Sequence, residues 1–471
     1  MYQSFVGLEI HIHLAANTKV FCRCKAEFGS EPNTNICPVC MGYPGVLPVL
    51  NEEAIRLAYI VAKAMNCELS PKTYFERKNY FYSDMPKNYQ ISQFEHPVGK
   101  NGYVDIPLPS GVKRVRIHDV HLEEDAGKMI HAGDMSLLDY NRAGYPLLEI
   151  VTEPDLVTGE DAEVFLQNFQ RLIRYLGVSD GNMEEGSMRC DANSSINTPG
   201  AGLGRKVEIK NLNSPRFVKK SLNYEIKRQA EVIDAGNIVI QETRLWNENR
   251  DVTESMRTKE SSNDYRYFPE PDFPPFIPTE AFLRGTEAAQ VELPLARKAR
   301  LLLEYGITEE QADFIYDTKE VADYYEKVVA LGVSGTTAAA WLSGDVQKKL
   351  NKSNQKLLSS PLTEERLAEL LKFLDSGRIH GKIAKQVLDV IFEENKDPEA
   401  IIQEKNWEQL TSASQVQPFI DQVFAAHPNV VAAVKAGEEK QKGFLVGQIM
   451  AATGGRAQPQ MLNELLAASL K

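Results

Sequence analysis

The chain has no apolar run of about 18 residues, the least that spans a bilayer, and no basic-then-apolar leader at Met1. These absences predict a cytoplasmic protein with no membrane partner. There is no Gly-x-x-x-x-Gly-Lys-Ser/Thr loop, no Gly-x-Gly-x-x-Gly after a strand and no Gly-x-Ser-x-Gly elbow. A P-loop nucleotide fold, a dinucleotide fold and a serine hydrolase are thereby disfavoured. Positive charge is in deficit too: a net charge of −12 argues against a surface coated uniformly for nucleic acid. Any polyanion would have to meet a local basic patch.

What is present is an ordinary globular composition, 43% hydrophobic and 25% charged over 471 residues. That length suits roughly two to four domains, each with its own core. Of the six cysteines, four crowd into nineteen residues: Cys22 and Cys24, then Cys37 and Cys40 after twelve intervening positions. Two short pairs parted by a loop can wrap one tetrahedral ion, so a structural Zn²⁺ site is expected, with reduced thiols as the alternative. Cys67 and Cys190 stand alone and read as buried apolar fillers.

The richest stretch runs from Ile117 to Asp155, where Asp119, Glu123, Glu124, Asp125, Glu149, Glu153 and Asp155 lie among short apolar runs. Carboxylates on strands are held on fixed backbone, where they can grip a divalent cation or face a phosphate. In Leu147 to Glu153 the period-two alternation sets Glu149 and Glu153 on one face and Leu148 and Ile150 on the other. Asp119 breaks the earlier alternation, so the pattern leaves open whether Glu123 or Glu124 points inward. Val6 to Leu14 alternates likewise, with Glu9, His11 and His13 on its polar face, which by itself fits either ligands or plain exposure. Arg189, Asp191 and Asn193 share the polar face of a further strand, and Lys206, Glu208 and Lys210 repeat the device.

Around these strands, Asn51 is expected to cap a helix to about Asn66, and Thr158 with Asp161 one from Glu160 to Leu176. Ser214 and Pro215 start another that ends near Gly236. Tyr103–Leu108 and Val112–His118 form a hairpin through Pro109-Ser110-Gly111. Between Arg205 and Arg228 eight basic residues face two acidic ones, the local positive patch hidden by the net charge. Arg77-Lys78 beside Tyr80, Phe81 and Tyr82 fits a phosphate and base contact or a solvated rim, and the rim is the commoner fate. Prolines from Phe268 to Pro278 mark a domain edge, after which the pattern turns helical. The basic tail, with Lys435, Lys440, Lys442 and Arg456, suits a nucleic-acid-binding module or a charged bundle equally.

Several long motifs then agree with one family. Gly7-Leu8-Glu9-Ile10-His11, Arg77 to Tyr82, Leu122-Glu123-Glu124-Asp125-Ala126-Gly127-Lys128, Arg189 to Asn193, Lys210 to Ser214 and Asp264 to Asp272 resemble the B subunit of the tRNA-dependent Asp/Glu amidotransferase. The terminal Gly443 to Met450 segment is similar to its tail domain. The likeness covers essentially the whole chain.

What the resemblance implies is an α+β protein: a glutamine-synthetase-like cradle with an antiparallel sheet over residues 1–292, a helical domain over 293–400 and a small tail over 401–471 for tRNA. It implies ATP- and Mg²⁺-dependent phosphorylation of the side-chain carboxylate of Asp or Glu misacylated on tRNA(Asn) or tRNA(Gln), then amidation by ammonia. The family's metal ligands carry over onto Glu9, His11, Glu124 and Glu149, with Glu124 rather than Glu123 resting on the match alone. Lys78, Lys128 and Arg142 are candidates for phosphate contacts, with structural salt bridges as the alternative for each. No Gly/Ser-rich amidase segment is present, so a glutaminase A subunit and a small C subunit are implied as partners. Pro215 stands where the family would have an aromatic, and the cysteine quartet belongs to only part of the family, which points to stability rather than chemistry. A non-catalytic tRNA-binding scaffold is the competing reading.

Overall fold

The computed structural model describes residues 2–258, 265–410, 412–436 and 439–470. Asp264, which opens one of the motifs above, lies outside them. Two compact units divide after Pro294.

The first unit is built on a nine-stranded sheet. In chain order its elements begin with β1 (Gln3–His13), α1 (Glu52–Ala64), β2 (Glu68–Leu69), β3 (Glu76–Asn79), β4 (Tyr89–Ser92) and β5 (Gly99–Leu108). Next come β6 (Gly111–Glu124), β7 (Lys128–Ala132), β8 (Met135–Asp139), β9 (Pro146–Thr152), α2 (Gly159–Tyr175) and β10 (Met188–Asn197). Then follow β11 (Val207–Lys210), α3 (Pro215–Asp234), β12 (Glu242–Asn247), β13 (Val252–Thr258), β14 (Phe268–Pro269) and α4 (Glu280–Ala288). The large sheet runs β13-β12-β11-β10-β1-β9-β6-β5-β2, while β14-β3-β4 and β7-β8 form two small ones. All pairings in the large sheet are antiparallel except β11 with β12.

Side-chain alternation divides the labour of the central strands. Val6, Leu8, Ile10 and Ile12 of β1, Val120 and Leu122 of β6, and Leu148 and Ile150 of β9 are buried in one core with α1, α2 and α3. Each such side chain contributes roughly 1.5–3 kcal/mol relative to exposure. Truncating Phe165, fully buried on α2, costs about 3–5 kcal/mol.

The helix starts follow local chemistry. Asn51 Oδ1 accepts from the Glu53 and Ala54 amides at 2.9 and 3.3 Å. Thr158 Oγ1 accepts from the Asp161 amide at 3.1 Å, and Ser214 Oγ from Phe217 at 3.2 Å with Pro215 opening α3. Gly159 has a packing reason: a Cβ there would lie 2.3 Å from the Lys219 carbonyl oxygen of α3.

The second unit is helical. One core gathers residues from Leu301 to Ile402, including Tyr324, Tyr325, Leu370, Leu371, Val387 and Ile391. A smaller one forms from Val416, Ile420, Leu445, Ile449, Leu462 and Leu466 on the last helices. Among the described residues no helix is long and apolar enough to cross a membrane.

Candidate active site and metal centres

The polar face opposite the helices carries the site. Register brings His11 of β1 opposite Glu149 of β9 on one side and Arg189 of β10 on the other. His121 of β6 also pairs with Glu149, and Asp191 pairs with Glu9. Ligand atoms of Glu9, His11 and Glu149 all lie within 4.8 Å of one another. His11 Nε2 stands 3.4 Å from Glu149 Oε2 and 3.8 Å from Glu123 Oε1.

Which way Glu123 and Glu124 point turns on backbone geometry. Pairing of β6 with β9 slips between Ile117 and Asp119, the irregularity that the interrupted alternation had signalled. Beyond it Asp119, His121 and Glu123 share the site face. Glu124, expected among the ligands, is not gathered with Glu9, His11 and Glu149: its buried carboxylate accepts from the Ile91 amide at 2.8 Å and from Lys87 Nζ. Glu123 is the carboxylate of the pair that faces His11, and Ser92 Oγ donates to it at 3.0 Å.

Electrostatics set this cluster apart from an ordinary polar face. Burial and the neighbouring Glu149 raise the carboxyls of both Glu9 and Glu123 above the usual range. Burial alone would lower the His11 imidazole, but Glu149, Glu123 and Glu9 hold it up at about 9. Glu149 resists its own burial and stays low, about 2, through His11, His121 and Lys78. So many buried carboxylates are relieved when a divalent ion replaces the protons. Asp119 Oδ1, Arg189 Nε and Asn193 Oδ1 on the same face are buried with no hydrogen-bond partner among the described residues, as groups awaiting a ligand or water are.

Cations frame the cluster. Lys78 on β3 is half-buried, its Nζ 5.0 Å from the Tyr265 ring centroid. Burial works to lower it, and the charges of Glu123 and Glu149, with Tyr267 and Tyr265, keep it above the usual lysine range. Lys78 therefore leaves the rim, where Phe81 and Tyr82 remain exposed. Its neighbour Arg77 is structural, paired with Glu270 and Asp272 at 2.8 Å each. Arg142 donates to the Ala126 and Gly127 carbonyls at 3.0 and 2.8 Å, so it fixes the turn after β6. Lys128 is exposed on β7 and lines a cavity of about 580 Å³ with His13, Arg142 and Tyr145, whose walls include none of Glu9, His11, Glu123 and Glu149.

Two cations singled out only as polar-face residues stand closer to the cluster. Arg189 holds Asp125 at 2.7 Å, and Lys210 Nζ pairs with Asp191 and, at 3.4 Å, with Glu208. Asp125 also takes His13 at 2.7 Å. Its burial is outweighed by Arg189, His13 and Arg142, which hold it well below the usual carboxylate range. The strand alternation placed Arg189 and Lys210 on the right face; only register showed what they meet.

The basic patch is quieter than its composition. Lys219 pairs with Glu163, Lys220 with Asp251, Lys227 with Glu231 and Arg228 with Glu225.

The second centre is the cysteine quartet. Sulfur atoms of Cys22, Cys24, Cys37 and Cys40 all lie within 4.8 Å of one another and could hold a metal such as zinc. Cys40 accepts from the Cys37 amide at 3.2 Å, with buried Lys19 Nζ at 3.6 Å. A hydrogen bond from Cys22, aided by Lys19, draws the Cys40 thiol down to about 4. Cys67 and Cys190 are buried in the core of the first unit, and burial holds the Cys190 thiol well above its ordinary value.

Residues 4–284 match the model of the GatB/GatE catalytic domain and residues 323–470 that of the GatB domain. The chain belongs to the GatB/GatE family. It is 48% identical over 472 residues to the B subunit of the aspartyl/glutamyl-tRNA(Asn/Gln) amidotransferase of Carboxydothermus hydrogenoformans, covering 99% of this chain and 98% of that one. The proteins of the same name from Geobacter sulfurreducens and Persephonella marina are each 44% identical, with 100% of this chain covered and 99% and 100% of theirs. Family membership thus spans the cluster-bearing sheet and the helical second unit alike.

Proposed function

We propose that this chain is the ATP-cleaving subunit of a tRNA-dependent amidotransferase, acting on Asp or Glu misacylated on tRNA(Asn) or tRNA(Gln). The observation that carries the reading is the meeting of Glu9, His11 and Glu149, with Glu123 beside them, from three separate strands. Those four residues would hold Mg²⁺, which when bound supplies positive charge to the phosphates of ATP.

The chain's own residues do the rest. Lys78 beside the cluster and Arg189 and Lys210 from its flank offer donors to phosphate oxygens and spread the charge of the transferring group. The substrate side-chain carboxylate oxygen bonds to the γ-phosphorus as the bond to ADP breaks. Ammonia then bonds to the acyl carbon and phosphate leaves, because phosphate is a far better leaving group than oxide. Burial of the cluster limits the water that would hydrolyse the acyl phosphate. Lys128 and Arg142 stay with the neighbouring cavity and turn. Ammonia comes from a glutaminase A subunit, and a small C subunit completes the assembly.

The scaffold reading, in which the zinc loop and the tail present RNA to a partner, gives no role to the meeting of Glu9, His11 and Glu149. The test is ADP release by the three-subunit complex given ATP and misacylated tRNA without glutamine. Release should rise with misacylated tRNA and vanish in Glu149→Gln, while the partner's glutaminase activity persists. An unaltered complex that releases ADP at the same rate with and without misacylated tRNA would refute the kinase role.

A further inference from the structure

Lys19, three residues before the first cysteine of the quartet, is fully buried. A buried ammonium is strongly disfavoured unless an opposite charge meets it. Lys87, whose side chain is also buried, meets that need with Glu124. Lys19 does not: among the described residues no carboxylate pairs with it, and its Nζ meets the Cys40 sulfur at 3.6 Å and the Tyr140 carbonyl at 3.3 Å. Glu124 lines the same small cavity of about 70 Å³ as Lys19, Cys22 and Cys40. Its carboxylate, however, is taken by Lys87 Nζ and the Ile91 amide.

The charge is also fixed in place. The Lys19 amide donates to the Cys24 carbonyl and the Val20 amide to the Gly144 carbonyl, each at 3.0 Å. Gly144, at a φ of 85°, lets the stem pass: a Cβ there would lie 3.4 Å from Lys19 Cδ and 3.7 Å from Cys40 Cβ. The Gly144 amide donates in turn to the Asp125 carbonyl at 2.8 Å. Lys19 is thus held between the cysteine loop and the turn before β9, with its head against sulfur.

Charge balance then points to the quartet. Four neutral thiols give a buried ammonium only a weak acceptor, whereas four thiolates around a divalent ion retain two negative charges. One ammonium offsets half of that excess, in surroundings where charges act strongly on one another. We infer that Lys19 is the counter-charge of the metal–thiolate centre, a positioning residue that steadies Cys40 and retains the ion, and whose own burial is tolerable because the ion is there. The inference rests on the quartet holding a divalent ion and is independent of the kinase reading.

The test uses the full-length chain loaded with Zn²⁺, with Lys19→Met, which keeps a stem and drops the charge, and Lys25→Met, exposed on the same loop, as the comparison. In competition with a chromogenic chelator, Lys19→Met holds Zn²⁺ at least about ten-fold more weakly, while Lys25→Met stays within about two-fold. Denaturant unfolding gives the sign. With Zn²⁺ bound Lys19→Met unfolds earlier than the unaltered chain, and after chelation the difference vanishes or reverses, because methionine strands no charge. With Co²⁺ in place of Zn²⁺, the sulfur-to-cobalt charge-transfer band moves to lower energy in Lys19→Met, as a more electron-rich thiolate requires. Should Lys19→Met fail to fold, Lys19→Gln, which keeps a donor for the Tyr140 carbonyl without the charge, answers by the same readings. An unaltered chain that takes up no Zn²⁺ removes the centre itself. Zn²⁺ affinity within about two-fold of the unaltered chain, or an equal loss of stability with and without the ion, overturns the counter-charge and leaves Lys19 a packing residue.

Discussion

The two metal-competent centres of this protein are assembled in opposite ways. The cysteine quartet comes from one nineteen-residue stretch, its four sulfurs brought together by a loop. The acidic cluster draws Glu9 from β1, Glu123 from β6 and Glu149 from β9, strands that meet only through the register of the large sheet. A local centre is specified by spacing, and a distributed one by which face each strand turns inward. The first tolerates changes elsewhere in the fold, whereas the second depends on every pairing between its strands.

The contrast can be broken at its most sensitive point. Glu149→Gln removes the carboxylate that both His11 and His121 face, and ATP cleavage should fall at least about 100-fold with little change in melting temperature. ADP release with misacylated tRNA measures it.

Next in size is the neighbouring pair. Glu123→Gln should weaken Mg²⁺ binding about ten-fold or more while leaving the fold intact. Glu124→Ala should do the reverse, costing about 3–5 kcal/mol of stability by leaving Lys87 buried without its carboxylate. Calorimetric Mg²⁺ titration set beside denaturant unfolding distinguishes the two, and equal effects from both would erase the division drawn here between the faces.

Removing the metal from the quartet, by chelation or by Cys22→Ser with Cys40→Ser, should loosen the loop and lower the melting temperature of the first unit by a few degrees. In domains of 150–250 residues roughly 2–4 °C accompanies each kcal/mol. Mg²⁺ affinity at the acidic cluster should change far less, as read in the same titration.

The smallest effect is one of pH. The His11 imidazole is held near 9 against an ordinary value of 6.5. The stability that its charged form lends the cation-free protein is complete below 6.5 and fades as pH rises through 9. Mg²⁺ affinity should climb over the same window, because the ion needs the neutral ring. Melting curves and Mg²⁺ titrations spanning roughly pH 6 to 9.5 follow both trends, and His11→Gln should flatten them.

How much of this was legible in the sequence depended on range. The caps at Asn51, Thr158 and Ser214 and the polar faces of β1, β9 and β10 could be read, because each is written in neighbouring residues. The side chosen by Glu123 could not, since it hangs on a slip in pairing with β9, a strand that arrives only after β7 and β8 have intervened. By its neighbours alone Lys78 fits a rim or a phosphate contact, because nothing near it in sequence announces Tyr265 and Tyr267. Arg142 fits a phosphate contact or a structural role equally by residue type, its carbonyl partners being invisible in the sequence. The positive patch between Arg205 and Arg228 holds as composition but is offset as charge on α3, because Glu163 and Asp251 arrive from other elements.

The slip between Ile117 and Asp119 carries a further consequence. It acts as a reading frame for the last turnings of β6: with it, alternate residues 119, 121 and 123 share the face of His11 and Glu149 and 120, 122 and 124 take the other. Were His118 to take the place opposite Val151, so that the ladder ran with no residue skipped, the two sets would be exchanged together, thrusting Leu122 and Glu124 outward and Glu123 into the interior. The enzyme's dependence on a single misaligned rung makes that rung a harsher target than any one of the side chains it orients.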